Sequence, residues 1–206
     1  MRHIIILFFF SSISVFAQET TNNNHLLFKA EIGGGYSSWL AKTPDFSSKG
    51  SGLDFNFNLT PYYNYKNLML GISYGYDRLQ IDTLISTAKN FPYGTGFHNN
   101  HVSFNKISLA LGYNLIHKEK LTIGAIVRIG TYRLDKNFDN KLIKNKLIFG
   151  AGLDLGYMIN DRVSLSIQPN FEYKYYTLNK DLVAGQNINH RIYSFNCLLG
   201  LICKIL

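Results

Sequence analysis

The chain has 206 residues, 46% apolar and only 17% charged, with a formal net charge of +8. Fifteen Phe, fourteen Tyr, 17 Gly and 21 Asn against four Pro exclude a disordered chain. Two cysteines are too few for a disulfide scaffold, and no apolar run approaches the roughly 18 residues of a spanning helix.

The first segment is an export address. Arg2 supplies a positive start, Ile4 to Phe10 is unbroken and apolar, and Val15-Phe16-Ala17 ends in a small residue. This pattern reads as a cleavable signal peptide over residues 1–17. Its removal leaves a net charge of +7 and a short polar periplasmic stretch, 18–25, before the main domain at 26–206.

From there the chain alternates apolar and polar residues with a period of two, the mark of a strand with two different faces. The first segment sets Phe28, Ala30, Ile32 and Tyr36 against Lys29, Glu31, Gly33 and Ser37. The second sets Leu53, Phe55, Phe57 and Leu59 against Asp54, Asn56, Asn58 and Thr60. Leu68 to Tyr76, Ile107 to Leu115, Leu121 to Ile129, Leu147 to Tyr157, Val163 to Tyr173 and Tyr193 to Cys203 repeat the pattern. Eight strands of about 10–14 residues follow, longer than the usual ~5–6. Asn64 to Asn67, His117 to Lys120 and Asn160 to Arg162 are tight polar turns. Ala41 to Ser51, Asp77 to Val102, Leu134 to Asn145 and Tyr176 to His190 are long loops. Strict alternation of short and long links predicts an up-and-down antiparallel sheet with all four long loops at one end.

Alternation suits either a soluble barrel with its apolar face inside or a membrane barrel with that face outside. Three features favour the membrane. The polar face is rich in Gly, Ser and Asn, which suits a narrow interior better than a solvated surface. The strands reach the ~9–11 tilted residues needed to cross a bilayer. Aromatic residues gather in two bands, with Tyr36, Phe55, Tyr74, Tyr76, Phe149, Phe171, Tyr173, Tyr193 and Phe195 toward the loop end. Phe28, Tyr63, Tyr65, Tyr113 and Tyr157 lie toward the turn end.

On these features the chain resembles the small eight-stranded outer-membrane barrels of the OmpA/OmpX-like porin family. The resemblance covers Leu26 to Leu206 and rests on architecture. It implies an outer-membrane location, contact with the barrel-assembly machinery and a lumen filled by ion pairs. Family members usually close with an aromatic residue; here the end is Cys203-Lys204-Ile205-Leu206, with Ile205 in the lipid-facing register.

Seven charged residues fall on the inward face: Lys29, Glu31, Asp54, Arg128, Asp154, Glu172 and Lys174. Charges in a low-dielectric lumen must be paired or hydrated, so they predict a polar network that plugs the barrel; a narrow transport conduit is the alternative. Arg78, Lys106, Arg133, Lys146 and Arg191 lie near the loop ends of strands and predict a basic collar for lipopolysaccharide phosphates. The basic charge is dispersed and gives no reason to expect nucleic acid. His98-Asn99-Asn100-His101 offers two imidazoles without further ligands, so no metal site or cofactor is expected. Gly150 to Gly156 is glycine-rich but lies mid-strand, with no helix to cradle phosphate. Cys197 and Cys203 are six residues apart on one strand, about 20 Å, beyond disulfide reach. Asp77, Asp82, His98, His101 and Ser103 are the candidates for hydrolytic chemistry, and nothing in their spacing joins them. The expected role is therefore structural or surface-interacting and not enzymatic, with Asp77 to Val102 as the main contact loop. A lipid-acting enzyme and a soluble ligand-binding barrel are weaker readings.

Overall fold

The computed structural model describes residues 24–42, 46–81, 83–88, 100–134, 143–178 and 187–205. The proposed signal peptide and the first half of the two-histidine motif, His98-Asn99, lie outside them. The strands are β1 (Asn24–Lys42), β2 (Phe46–Tyr65), β3 (Leu68–Ile81, resuming over Thr83–Ala88), β4 (Asn100–Lys118) and β5 (Leu121–Leu134). They continue as β6 (Ile143–Asn160), β7 (Val163–Leu178) and β8 (Ile188–Lys204). No helix occurs among the described residues. Each strand pairs antiparallel with its sequence neighbours, and β8 returns to pair with β1 from Leu27↔Lys204 to Lys42↔Asn189. The result is the expected closed, eight-stranded, up-and-down β-barrel. Closure leaves no sheet edge at membrane depth, where no water exists to satisfy one.

The register fixes the shape. Hydrogen-bonded neighbours run from Leu27 through Tyr62, Gly71, Ala110, Arg128, Gly150, Glu172 and Ser194. The circuit returns to β1 at Ser37, ten residues above its start. A stagger of this kind tilts the strands by roughly 35–45° and leaves a bore that side chains fill. Where that bore is tightest the sequence places glycine. A Cβ on Gly71 would lie 2.7 Å from the ring of Tyr62, which covers it.

The short turns are as expected, and their chemistry is local. Lys66 and Glu119 take positive φ values of 56° and 43°, as primed hairpin turns require. In the third turn the Asn160 side-chain oxygen accepts from the N–H groups of Arg162 and Val163, both at 2.9 Å. Each turn is also tied sideways. The carbonyls of Asn67, Lys120 and Arg162 accept from Asn114, Met158 and Lys204 of the next hairpin, at 2.7–2.8 Å. Ile205 completes this lower rim by donating to Leu26 at 2.8 Å, with its side chain exposed.

At the other end the strands overrun the expectation. They are 14–20 residues long, and the segment expected as a loop from Ala41 to Ser51 is mostly ladder, with Ala41↔Ser48 and Lys42↔Ser47 paired. Only residues 43–45 separate β1 from β2 there.

Apolar side chains face outward around the whole wall, from Ile32 (51% exposed) to Phe195 (68%). The aromatic girdles are present, with Phe171 5.0 Å from Phe195 and Tyr173 5.2 Å from Tyr193 between ring centroids. Above the upper girdle the pattern inverts. Leu79, Phe104, Tyr132, Leu134, Ile143, Ile148, Tyr176 and Ile192 point inward and form one buried cluster, while Arg78, Asn105 and Arg133 on the same strands face out. A positive φ of 53° at Asn145 and a bulge between Lys144 and Leu147 bring Ile143 into that cluster. The barrel is thus a membrane barrel that continues into a short soluble-style one.

Outward placement of Leu109 (45% exposed) in lipid makes a direct prediction. Leu109→Arg should destabilise the barrel by about 2–4 kcal/mol in bilayer vesicles, the cost of a charge on the lipid face near the midplane. Denaturant titration in vesicles measures it, and an unchanged midpoint would contradict the lipid-facing register.

Candidate functional site

Among the described residues, the lumen gathers nine charged side chains. All seven residues expected there are buried inside the barrel. Two more join them. Lys106, expected on the outer collar, instead points inward and is 4% exposed, because it shares the inward register of Ser108 and Ala110. Asp77 likewise follows the inward register of Ser73 and Gly75 and is fully buried. Both positions were readable by extending the dyad two residues further up β3 and β4.

The charges form two groups. In the lower one, the Lys29 Nζ lies 2.9 Å from Glu31 and 2.8 Å from Asp154, and donates to Gln168 at 3.0 Å. Arg128 pairs with the other oxygen of Glu31. In the upper one, Lys106 pairs with Asp77 and, at 2.9 Å, with Glu172, and donates to Asn56 at 3.3 Å. Lys174 pairs with Glu172 and, at 2.8 Å, with Asp77, and lies 3.9 Å from Asp54. Ser37 donates to Asp54 at 2.8 Å and shares a 2.6 Å hydrogen bond with Ser194. These contacts cross the bore. β1 is joined to β5 and β6, and β7 to β2, β3 and β4.

An apolar layer lies above the charges and a smaller apolar cluster below them on the β1–β4 side. Below are Tyr62, Met69 and Ala110, with Leu27 against them. Above, the Lys174 ammonium sits 5.4 Å from the Phe104 ring centroid, where the inverted apolar cluster begins. Trp39, His190 and Tyr176 stack at the top of that cluster, with centroid separations of 5.3 and 4.3 Å. Trp39 donates its indole N–H to His190 Nδ1 at 3.0 Å. Sequence reasoning missed this upper layer, because an inward apolar run looks like the end of the alternation.

Of the remaining collar residues, Arg78, Arg133 and Arg191 are exposed on the outer wall, and Lys146 is half-buried in the β6 bulge. Arg78 lies two residues above Tyr76, and Arg191 two below Tyr193 in number and so one repeat higher on the descending β8. Arg133 pairs with Asn105 beside Tyr76. Among the described residues, every strand Asp and Glu faces the lumen, so no carboxylate offsets these cations on the wall.

The hydrolytic candidates do not converge. Asp77 is on the inner face among lysines, whereas His101 and Ser103 are on the outer face of β4, and Tyr76 donates to Ser103 at 2.9 Å. Asp82 and His98 lie outside the described residues. No described group of three or more His, Cys, Asp or Glu is placed to hold a metal. Cys197 and Cys203 are both free thiols.

A closed cylinder of eight strands with lipid-facing apolar residues and ion-paired charges inside defines a small transmembrane β-barrel. A family model described as the outer membrane protein beta-barrel domain matches residues 4–197, and the chain belongs to that family. Its place is the outer membrane. The structure is similar to the outer membrane protein OprG from Pseudomonas aeruginosa (TM-score 0.50, 12% identity, 88% of this chain and 97% of that one). It is also similar to Neisserial surface protein A (0.48, 14%, 90% and 100%) and the outer membrane protease OmpT from Escherichia coli (0.41, 13%, 91% and 99%). No curated protein sequence matches the chain.

The lumen contacts predict an asymmetric mutational response. Glu31→Gln strands Arg128 and Lys29 without their shared partner and should cost about 3–5 kcal/mol in vesicle unfolding. Glu31→Gln combined with Arg128→Met should recover a substantial part, because the pair is then removed whole.

Proposed function

We propose that this protein is a non-conducting outer-membrane barrel with a structural and surface-contact role, anchored in the outer leaflet by lipopolysaccharide. The observation that carries the first half is the filling of the bore. Ion pairs span it beneath a buried apolar layer that draws a side chain from every strand except β2, and a smaller apolar cluster of Tyr62, Met69 and Ala110 packs on the β1–β4 side. A conduit for hydrated solutes needs a continuous polar path, and an eight-stranded bore has little room to provide one. With Asp77 held inside the wall and His101 and Ser103 outside it, the reading includes no catalytic step.

The collar supports the second half. Arg78 and Arg191 stand one side-chain repeat, about 7 Å along the strand, beyond the girdle residues Tyr76 and Tyr193, and Arg133 shares the pairing row of Asn105 and Tyr76. That is the height of headgroups, where guanidinium groups bind phosphate through charge-assisted hydrogen bonds. Lys49 and Lys144 add exposed positive charge to the same outer wall.

Planar-bilayer recording of the purified barrel tests the closed lumen. The expected trace has no large, stable conductance, and a sustained one would establish transport instead. Arg133→Gln combined with Arg191→Gln tests the collar. Co-purifying lipopolysaccharide should fall by about fivefold for each charge removed, with the lumen-dependent stability unchanged. Retention equal to that of the unmodified protein would remove lipopolysaccharide from the account.

A further inference from the structure

We infer a second lipid site, at the opposite end of the barrel, that takes the headgroup of an amine-bearing glycerophospholipid from the periplasmic leaflet. An open cleft of about 640 Å³ lies at the β4–β5 turn, lined by Lys118, Glu119, Lys120, Leu121 and Tyr157. The cleft is built by the backbone. A bulge between Asn114 and Ile116 carries the end of β4 outward, leaving Leu115 and Ile116 exposed in succession. Glu119 turns the chain with a positive φ of 43°. The Lys120 carbonyl then accepts from Met158 at 2.8 Å, which fixes the hairpin tip against β6. Leu121 pairs directly with Tyr157, so one wall of the cleft is apolar and aromatic.

Height selects the occupant. Tyr113 and Tyr157 belong to the lower girdle and are about half exposed, so the cleft opens where acyl chains give way to headgroups. Its charges match a phospholipid better than a simple anion. Lys118 and Lys120 suit a phosphate, Glu119 between them suits a primary ammonium, and Leu121 with Tyr157 suits the glycerol and first acyl carbons. A glycerophosphoethanolamine headgroup carries all three features. This site is independent of the outer-leaflet collar, since the two lie at opposite ends of the wall.

The test is native mass spectrometry of the full barrel in detergent, with dioleoyl phosphatidylethanolamine, phosphatidylglycerol or phosphatidylcholine as probe. Phosphatidylethanolamine should be retained best. Lys118→Gln and Lys120→Gln should each lower its retention by about fivefold. Glu119→Gln should abolish its advantage over phosphatidylcholine while leaving phosphate-dependent binding in place. A control pair elsewhere on the same rim, Lys66→Gln with Lys204→Gln, should leave retention unchanged. Equal losses in the control, or equal retention of all three lipids by the unmodified protein, would overturn the site. Gel mobility with and without heating confirms that each variant is folded, and these exposed turn residues lie outside the lumen contacts.

Discussion

The ten-residue offset with which β8 returns to β1 governs the rest of the molecule. A bilayer offers no hydrogen-bonding partner to a backbone amide, so the sheet must close on itself. The offset then sets strand tilt and bore together. A bore this narrow admits one large side chain only where its neighbours are small. That is why Gly71 lies under Tyr62 and why Gly150 and Ser194 share a row with Arg128 and Glu172. The glycine content is a geometric consequence of closure.

The same narrowness turns charge into architecture. Burying one ion without a partner costs several kcal/mol, and the attraction of a pair offsets this only with good geometry. Here each cation of the lumen reaches carboxylates on strands remote in sequence, as Lys29 does with Asp154 and Lys106 with Glu172. Replacing a buried ion pair by an apolar filling of equal volume is often neutral or stabilising. The value of these contacts lies in register. A slip of β6 by one residue turns Asp154 toward lipid, and a slip of β7 does the same to Glu172 and Lys174, so the network penalises wrong pairings.

Much of this was legible in the sequence because a strand in lipid has only two environments, and residues such as Leu109 and Ser108 declare which is which. The eight strands, the short turns and seven lumen charges follow from that contrast. Legibility fails where the environments change. Lys106 and Asp77 look like rim charges because loop ends are usually polar, and only strict parity places them inside. Ser47 to Ser51 looks like part of a loop, since Ser and Gly have weak strand propensity, yet above the membrane its pairing with β1 needs no apolar side chains. The upper core of Phe104, Tyr132 and Ile192 is hidden for the opposite reason: its apolar residues occupy the positions that spell lumen lower down. The cleft at Lys118 to Lys120 depends on a bulge and a single carbonyl contact, and neither leaves a mark in composition.

The inversion of the hydrophobic pattern also fixes depth. On β8, Phe195 and Tyr193 face outward into the interface and Arg191 faces outward beyond it, while Ile192 is already turned inward. Moving the barrel down by one side-chain repeat brings Arg78 and Arg191 to the level of the girdle and pushes Tyr76 and Tyr193 toward hydrocarbon. Moving it up by the same amount lifts outward Ile and Leu into water. Each strand therefore carries its own waterline, and the protein floats at one level; in a bilayer of another thickness, it is the lipid around the wall that must stretch or thin to meet it.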